Sequence, residues 1–196
     1  PGPARYQKND PATGKIRWTG KLALADVEMV THNVKTFRFR APDGGQIPVK
    51  FSQAAPGVAV GEGTSPAMSW ANVPAGTQSF FLNMHDMEVV RNKTTDDQAH
   101  WVVWNIPASA TGLPEGVPKG SQLADGSYQI SATGTMYRGP GAPANGPPHH
   151  YMFEIYALDV DVMPGVTQAT TAKAGKALLE KHKLSSTKLT VKFQKP

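Results

Sequence analysis

"GPPHHYMFEIYALDV", residues 146–160, joins a rigid Gly-Pro-Pro turn to a run dense in aromatic and β-branched residues. The run reads as a buried β-strand over 150–159. Two similar runs occur earlier, "TQSFFLNMHD" (77–86) and "HWVVWNIP" (100–107). Both read as central strands. "LALADVEM" (22–29), "KTFRFR" (35–40) and "KLTVKF" (188–193) alternate apolar with polar residues and suit half-buried strands. Shorter strands are expected at 48–52, 67–70 and 127–133. Between them, 19 Gly and 17 Pro divide the chain into short pieces. That pattern predicts an all-β fold in a single domain. The period changes once, over "TQATTAKAGKALLEKHKL" (167–184), where a helix is expected with Thr167 as its N-cap. Residues 86–99 read as a polar connection, and 108–126 and 134–148 as long Pro/Gly-rich loops.

Composition narrows the chemistry. The chain has 196 residues and 39% hydrophobic content, enough for a real core. No apolar run approaches the roughly 20 residues that span a bilayer. Cysteine is absent, which excludes disulfides, thiolate zinc sites and cysteine nucleophiles. The net charge of +5 is concentrated near the C-terminus. Residues 171–196 hold seven lysines against Glu180 alone. The plain reading is a solvated helix face. Without interleaved Arg or aromatic residues it does not predict nucleic-acid binding, and at most a weak membrane-surface contact. The absence of an initiating Met and the basic balance favour an exported or periplasmic protein over a cytoplasmic one.

Polar residues gather at the ends of the strongest strands. Asp86 and Glu88 follow 77–85, His100 opens the next strand, and His149, His150 and Tyr151 open the strand after the Pro-Pro turn. Residues i and i+2 of a strand share a face, so His149 and Tyr151 point together and His150 points away. If the three strands are neighbours, Asp86, His100, His149 and Tyr151 line one pocket. From spacing alone, separate strand-end side chains explain the pattern more simply. No H-x-H or H-x-x-x-H pair supports a metal. No G-x-S-x-G elbow surrounds Ser65, Ser69 or Ser79. "GEGTSP" (61–66) lacks the Lys of a P-loop, and "NKT" (92–94) is a formal glycosylation acceptor of a kind frequent by chance.

Three long stretches carry more than spacing. "SPAMSWANVPAGTQSFFL" (65–82), "HWVVWNIPASATGLPEGV" (100–117) and "YRGPGAPANGPPHHYMFEIYALD" (137–159), in that order, resemble the phosphatidylethanolamine-binding protein family in its bacterial Raf-kinase-inhibitor-like branch. The resemblance runs over about residues 35–193, which makes 1–34 an extension and 35–196 the family-like domain. It implies an antiparallel Greek-key β-sandwich with few helices. It also implies an anion pocket at one end of the central sheet, built from Asp86, Glu88, His100, His149 and Tyr151 and walled by Tyr137, Gly139 and Pro140. Where the family has Asp-Pro-Asp-x-Pro, this chain reads Asp86-Met87-Glu88-Val89-Val90, a less rigid and more apolar edge, and Gln98 replaces a frequent aromatic residue.

The implied function is binding of a small phosphate- or carboxylate-bearing ligand, phospholipid head groups included, with no metal or cofactor. Two other readings stand beside it. One is an isomerase or lyase using a pocket histidine as acid or base. The other is a protein-interaction or inhibitor module. A homodimer is compatible with the resemblance, and no protein partner is indicated.

Overall fold

In the computed structural model, residues 38–40, 45–90, 97–163 and 179–196 are described. They form eight strands: β1 (Arg38–Arg40), β2 (Met68–Ala71), β3 (Ser79–Val90), β4 (Asp97–Pro107), β5 (Gly112–Leu113), β6 (Tyr128–Ile130), β7 (His149–Leu158) and β8 (Lys183–Phe193). They make two antiparallel sheets. The small one has the order β1-β2-β5 and the large one β6-β4-β3-β7-β8. This is the expected all-β class, and the three aromatic-rich runs are the three central strands of the large sheet.

The alternation of side chains explains the layers. On β3, Phe80, Leu82 and Met84 face the main core. They meet Trp101, Val103 and Ile106 of β4, Phe153, Ile155 and Ala157 of β7, and Met68, Trp70 and Leu113 of the small sheet. The opposite face carries Phe81, Val102, Trp104, Tyr156 and Leu158, packed with Met163 and Leu179. Both faces of β3, β4 and β7 are therefore covered. That is why "FFL" and "WVVW" are continuously apolar rather than alternating. On β4 the parity slips between Val103 and Ile106, which pair with Leu82 and Phe80. Asn105 takes up the slip with a φ of 56°.

Several expectations are corrected. Residues 49–51 form a 3₁₀ turn (Val49–Phe51) rather than a strand, because Pro48 O accepts from Phe51 N–H and Val49 O from Ser52 N–H. β3 and β4 run into the expected connection 86–99, and Asp86 pairs with Gln98. The loop 108–126 contains β5. Residues 179–182 are helical, but the chain is already a strand at Lys183, so Lys183 belongs to β8 rather than to the helix, and β8 runs on through the expected strand 188–193 with Lys188 and Lys192. The rest of the expected helix, Thr167, the strand 22–29 and residues 1–37 lie outside the described residues.

Candidate functional site

The polar residues at the strand ends meet at one end of the large sheet. β3 lies between β4 and β7, and Asp86 stands directly opposite Tyr151. Asp86 continues the inward row of Phe80, Leu82 and Met84, while His85 next to it faces the other way, 3.4 Å from Glu154. His149 is two residues from Tyr151 and shares its face. Its Nδ1–H donates to Asp86 Oδ2 at 2.8 Å.

His100 reaches the same place by a different route. Met84 pairs with Trp101, but His85 pairs with Ala99, so His100 has no partner across the ladder. This bulge aims the ring inward, where plain alternation with Trp101 sends it out. Its Nδ1–H donates to Arg138 O at 2.9 Å, and Arg138 N–H donates back to His100 O. Its Nε2 lies 3.9 Å from Asp86 Oδ2. The ring meets Tyr151 edge-on, with centroids 4.9 Å apart.

The bonds around Asp86 can be followed proton by proton. His149 Nδ1–H donates to one oxygen, and Glu88 N–H to the other at 3.0 Å. The Tyr151 hydroxyl accepts from Gly141 N–H at 3.2 Å. His100 Nε2, by contrast, is buried with no hydrogen-bond partner. Burial pushes the His100 pKa down to about 4, the Arg138 guanidinium adds to the fall, and the Arg138 carbonyl and the Asp86 charge oppose it. The ring is therefore neutral at pH 7. With Nδ1 protonated, Nε2 presents a lone pair. Burial also raises the Tyr151 hydroxyl, with the Asp86 charge second, so the phenol keeps its proton.

The loop 137–142 is fixed at nearly every residue. Tyr137 Oη–H donates to Phe51 O at 3.0 Å, so this hydroxyl is used in holding the wall. Gly139 N–H donates to Glu62 O, and Gln53 N–H to Pro140 O. Gln53 Nε2 donates to Gly139 O at 2.6 Å, a role that no motif around Gln53 signals. A Cβ on Gly139 would sit 2.8–2.9 Å from the backbone of residues 51–53, so only glycine permits this approach.

Glu88 goes elsewhere. Its carboxylate accepts from the His150 ring and backbone N–H, each at 2.6 Å, in a pair open to solvent. His150 thus projects away from His149, as strand alternation requires. Asp86, Glu88 and His149 each have a ligand-type atom within 4.8 Å of the others, the one such trio among the described residues. Here those atoms are tied into hydrogen bonds with each other and with His150. Asp86 and His100 are almost fully covered, and the His149 side chain, 17% exposed, is the most open of the three.

An antiparallel β-sandwich whose bulged central strand brings an Asp, two His and a Tyr together at its end defines the class. The family model described as phosphatidylethanolamine-binding protein matches residues 39–194, and the chain belongs to that family. A UPF0098 protein of Methanothermobacter thermautotrophicus is 37% identical over 80% of this chain and 95% of its own length. The UPF0098 proteins YbhB and YbcL of Escherichia coli are 35% and 32% identical, each over 68% of this chain, and over 83% and 73% of their own lengths. The crystal structure of E. coli YbcL superposes with a TM-score of 0.66 at 27% identity, covering 81% of this chain and 98% of that one.

Proposed function

We propose that this chain is a binding protein for small ligands bearing a phosphate or carboxylate group, phospholipid head groups among them. Asp86, His100, His149 and Tyr151 form the centre, Tyr137, Gly139 and Pro140 the wall, and Glu88 the rim through His150. The observation that carries this reading is the convergence at one sheet end of His149, the most open of these side chains, with Asp86, His100 and Tyr151. His100 Nε2 is buried with no hydrogen-bond partner, a cost of about 1–3 kcal/mol that a ligand N–H or O–H reaching it recovers. His149 supplies attraction for the anion when protonated, with Asp86 stabilising the imidazolium.

Titration calorimetry with phosphate and phosphorylethanolamine, in the presence of a chelator, tests the proposal. His149→Ala lowers affinity roughly ten- to a hundredfold, the loss of one charge-assisted hydrogen bond. His150→Ala, whose ring pairs with Glu88 outside the cluster, changes it by less than about threefold. Equal losses from the two variants refute the assignment, as does binding that appears only with added zinc.

The 2.8 Å His149–Asp86 bond favours a second reading, since a carboxylate-oriented imidazole is also an acid–base unit. Conversion of a phosphorylated substrate, lost in His149→Ala, identifies an isomerase or lyase instead.

A further inference from the structure

We infer that the outer edge of β8, over residues 186–190, takes up an extended acidic segment of a partner protein as an added strand. This surface is separate from the pocket. Val191 and Phe193 of β8 pair with Tyr151 and His149 at the pocket end of the sheet, and the open stretch runs away from it.

β8 has 11 residues and forms one edge of the large sheet. The other edges are short: β1 and β6 have 3 described residues each and β5 has 2. A short edge offers little to pair with, whereas a long one presents a row of backbone donors and acceptors. In β8 that row can be located. Lys192 N–H donates to Gly45 O at 2.6 Å, and Lys192 O accepts from Ile47 N–H at 2.9 Å, so the backbone of Lys192 points away from β7. The register against β7 is unbroken from Ser186 to Phe193. Thr190, Lys188 and Ser186 therefore point their N–H and C=O outward as well. None of these groups has a backbone partner among the described residues. The chain itself shows that the edge accepts a strand: residues 45–47 lie alongside Lys192 as a parallel stub, bridged at Gln46. A peptide on 186–190 continues that line.

Charge selects the occupant. β8 carries Lys183, Lys188 and Lys192 and no acidic residue. Lys183 is held by Glu180 at 2.9 Å. Lys188 and Lys192 are exposed. Glu154, opposite Lys188, is turned towards Asn83 Nδ2 at 3.2 Å and His85 Nε2 at 3.4 Å. Side chains of every second residue share a face, so an acidic residue of the peptide meets Lys188 directly and Lys192 diagonally. The intervening positions fall on the face of Leu189, which packs against the main core, and suit apolar side chains. A second copy of the chain is a poorer occupant. Antiparallel pairing of two β8 edges about Lys188 sets lysine against lysine, the device by which edges avoid self-association.

The test uses the full chain and three acetylated, amidated eight-residue peptides. One alternates Glu and Val, one alternates Lys and Val, and the third is the Glu/Val sequence N-methylated along its central four residues. Fluorescence anisotropy measures binding, and amide hydrogen exchange locates it. In the free chain the Ser186, Lys188 and Thr190 amides exchange fast, while those of Thr187, Leu189 and Val191 are protected by β7. The Glu/Val peptide protects the first three and binds at least about tenfold more tightly than the other two peptides. Thr190→Pro removes an outward N–H that the ladder to β7 does not use, so the fold is kept and peptide affinity falls at least about tenfold. Lys188→Glu, a change on an exposed side chain, weakens binding about three- to tenfold and carries the test if the proline variant does not fold. Protection of the three amides in the free chain, failure of the Glu/Val peptide to bind, or equal binding of the Lys/Val or N-methylated peptide overturns the inference. Dimerisation that is lost in Thr190→Pro assigns the edge to a second copy and overturns it as well.

Discussion

Lowering the pH from 7 to 4.5 probes His100 in isolation if the protein is compared with His100→Asn. The ring titrates near 6.5 in an unfolded chain and at about 4 in the fold. Between those values the unfolded chain binds the proton and the native state does not. Stability from this group is therefore complete above about pH 6.5 and is lost as the pH falls towards 4. A difference of roughly 2.5 units corresponds to about 3 kcal/mol in full, of which some 2–3 kcal/mol is lost by pH 4.5. Asparagine retains a donor for Arg138 O but does not titrate. Urea unfolding at both pH values should show the parent chain losing about 2–3 kcal/mol more than the variant. Acidic and histidine groups that do not face His100 contribute to both slopes and cancel; Asp86, 3.9 Å away, is the one that responds to the exchange. Equal losses, or a smaller loss in the parent, would falsify the claim that desolvation dominates His100.

Two further outcomes follow from the packing. Gly139→Ala places a methyl 2.8–2.9 Å from the backbone of residues 51–53, which cannot rotate aside; urea unfolding should show a loss of about 1–3 kcal/mol, and phosphate affinity should fall as the wall shifts. Gln129→Leu leaves Trp101 Nε1–H buried without its acceptor and removes the donor to Pro118 O and Gly120 O; a melting curve should register about 2–3 kcal/mol of destabilisation, and hydrogen exchange should rise first at residues 118–120.

The central strands were legible because burial on both faces forces apolar runs that no turn residue interrupts. "FFL", "WVVW" and "YMFEIYALD" announced themselves. The outer parts were less legible. β3 extends past Asp86 as Met87-Glu88-Val89-Val90 and β4 begins at Asp97-Gln98-Ala99, short ends that read as part of one polar connection because the residues between them are polar. Residues 49–51 carry Val and Phe, yet the carbonyls of Pro48 and Val49 close a 3₁₀ turn there. Alternation placed His149 beside Tyr151 and turned His150 away. It could not place His100, because a bulge is a property of two paired strands and leaves no mark in one of them. Nor could it show that Glu88 goes to His150, or that the Tyr137 hydroxyl is taken by Phe51 O. The identities of the polar residues were legible; the allocation of their protons required the geometry.

The pairing of β3 with β7 has a kinetic consequence. Asp86 and His149 are hydrogen-bonded but 63 positions apart in the chain. Bringing them together closes a long loop before any contact between them is rewarded, and topologies dominated by such pairings fold in roughly milliseconds to seconds. The β3–β4 pair is closer along the chain and closes a shorter loop. A ligand held, as proposed, by residues of β3, β4 and β7 would therefore recognise only chains in which the distant pairing is complete. It would act as a clamp on the native state and raise the unfolding midpoint by mass action. Recovery of ligand binding during refolding should accordingly lag behind recovery of tryptophan burial in the core, and the length of that lag measures how late β7 docks.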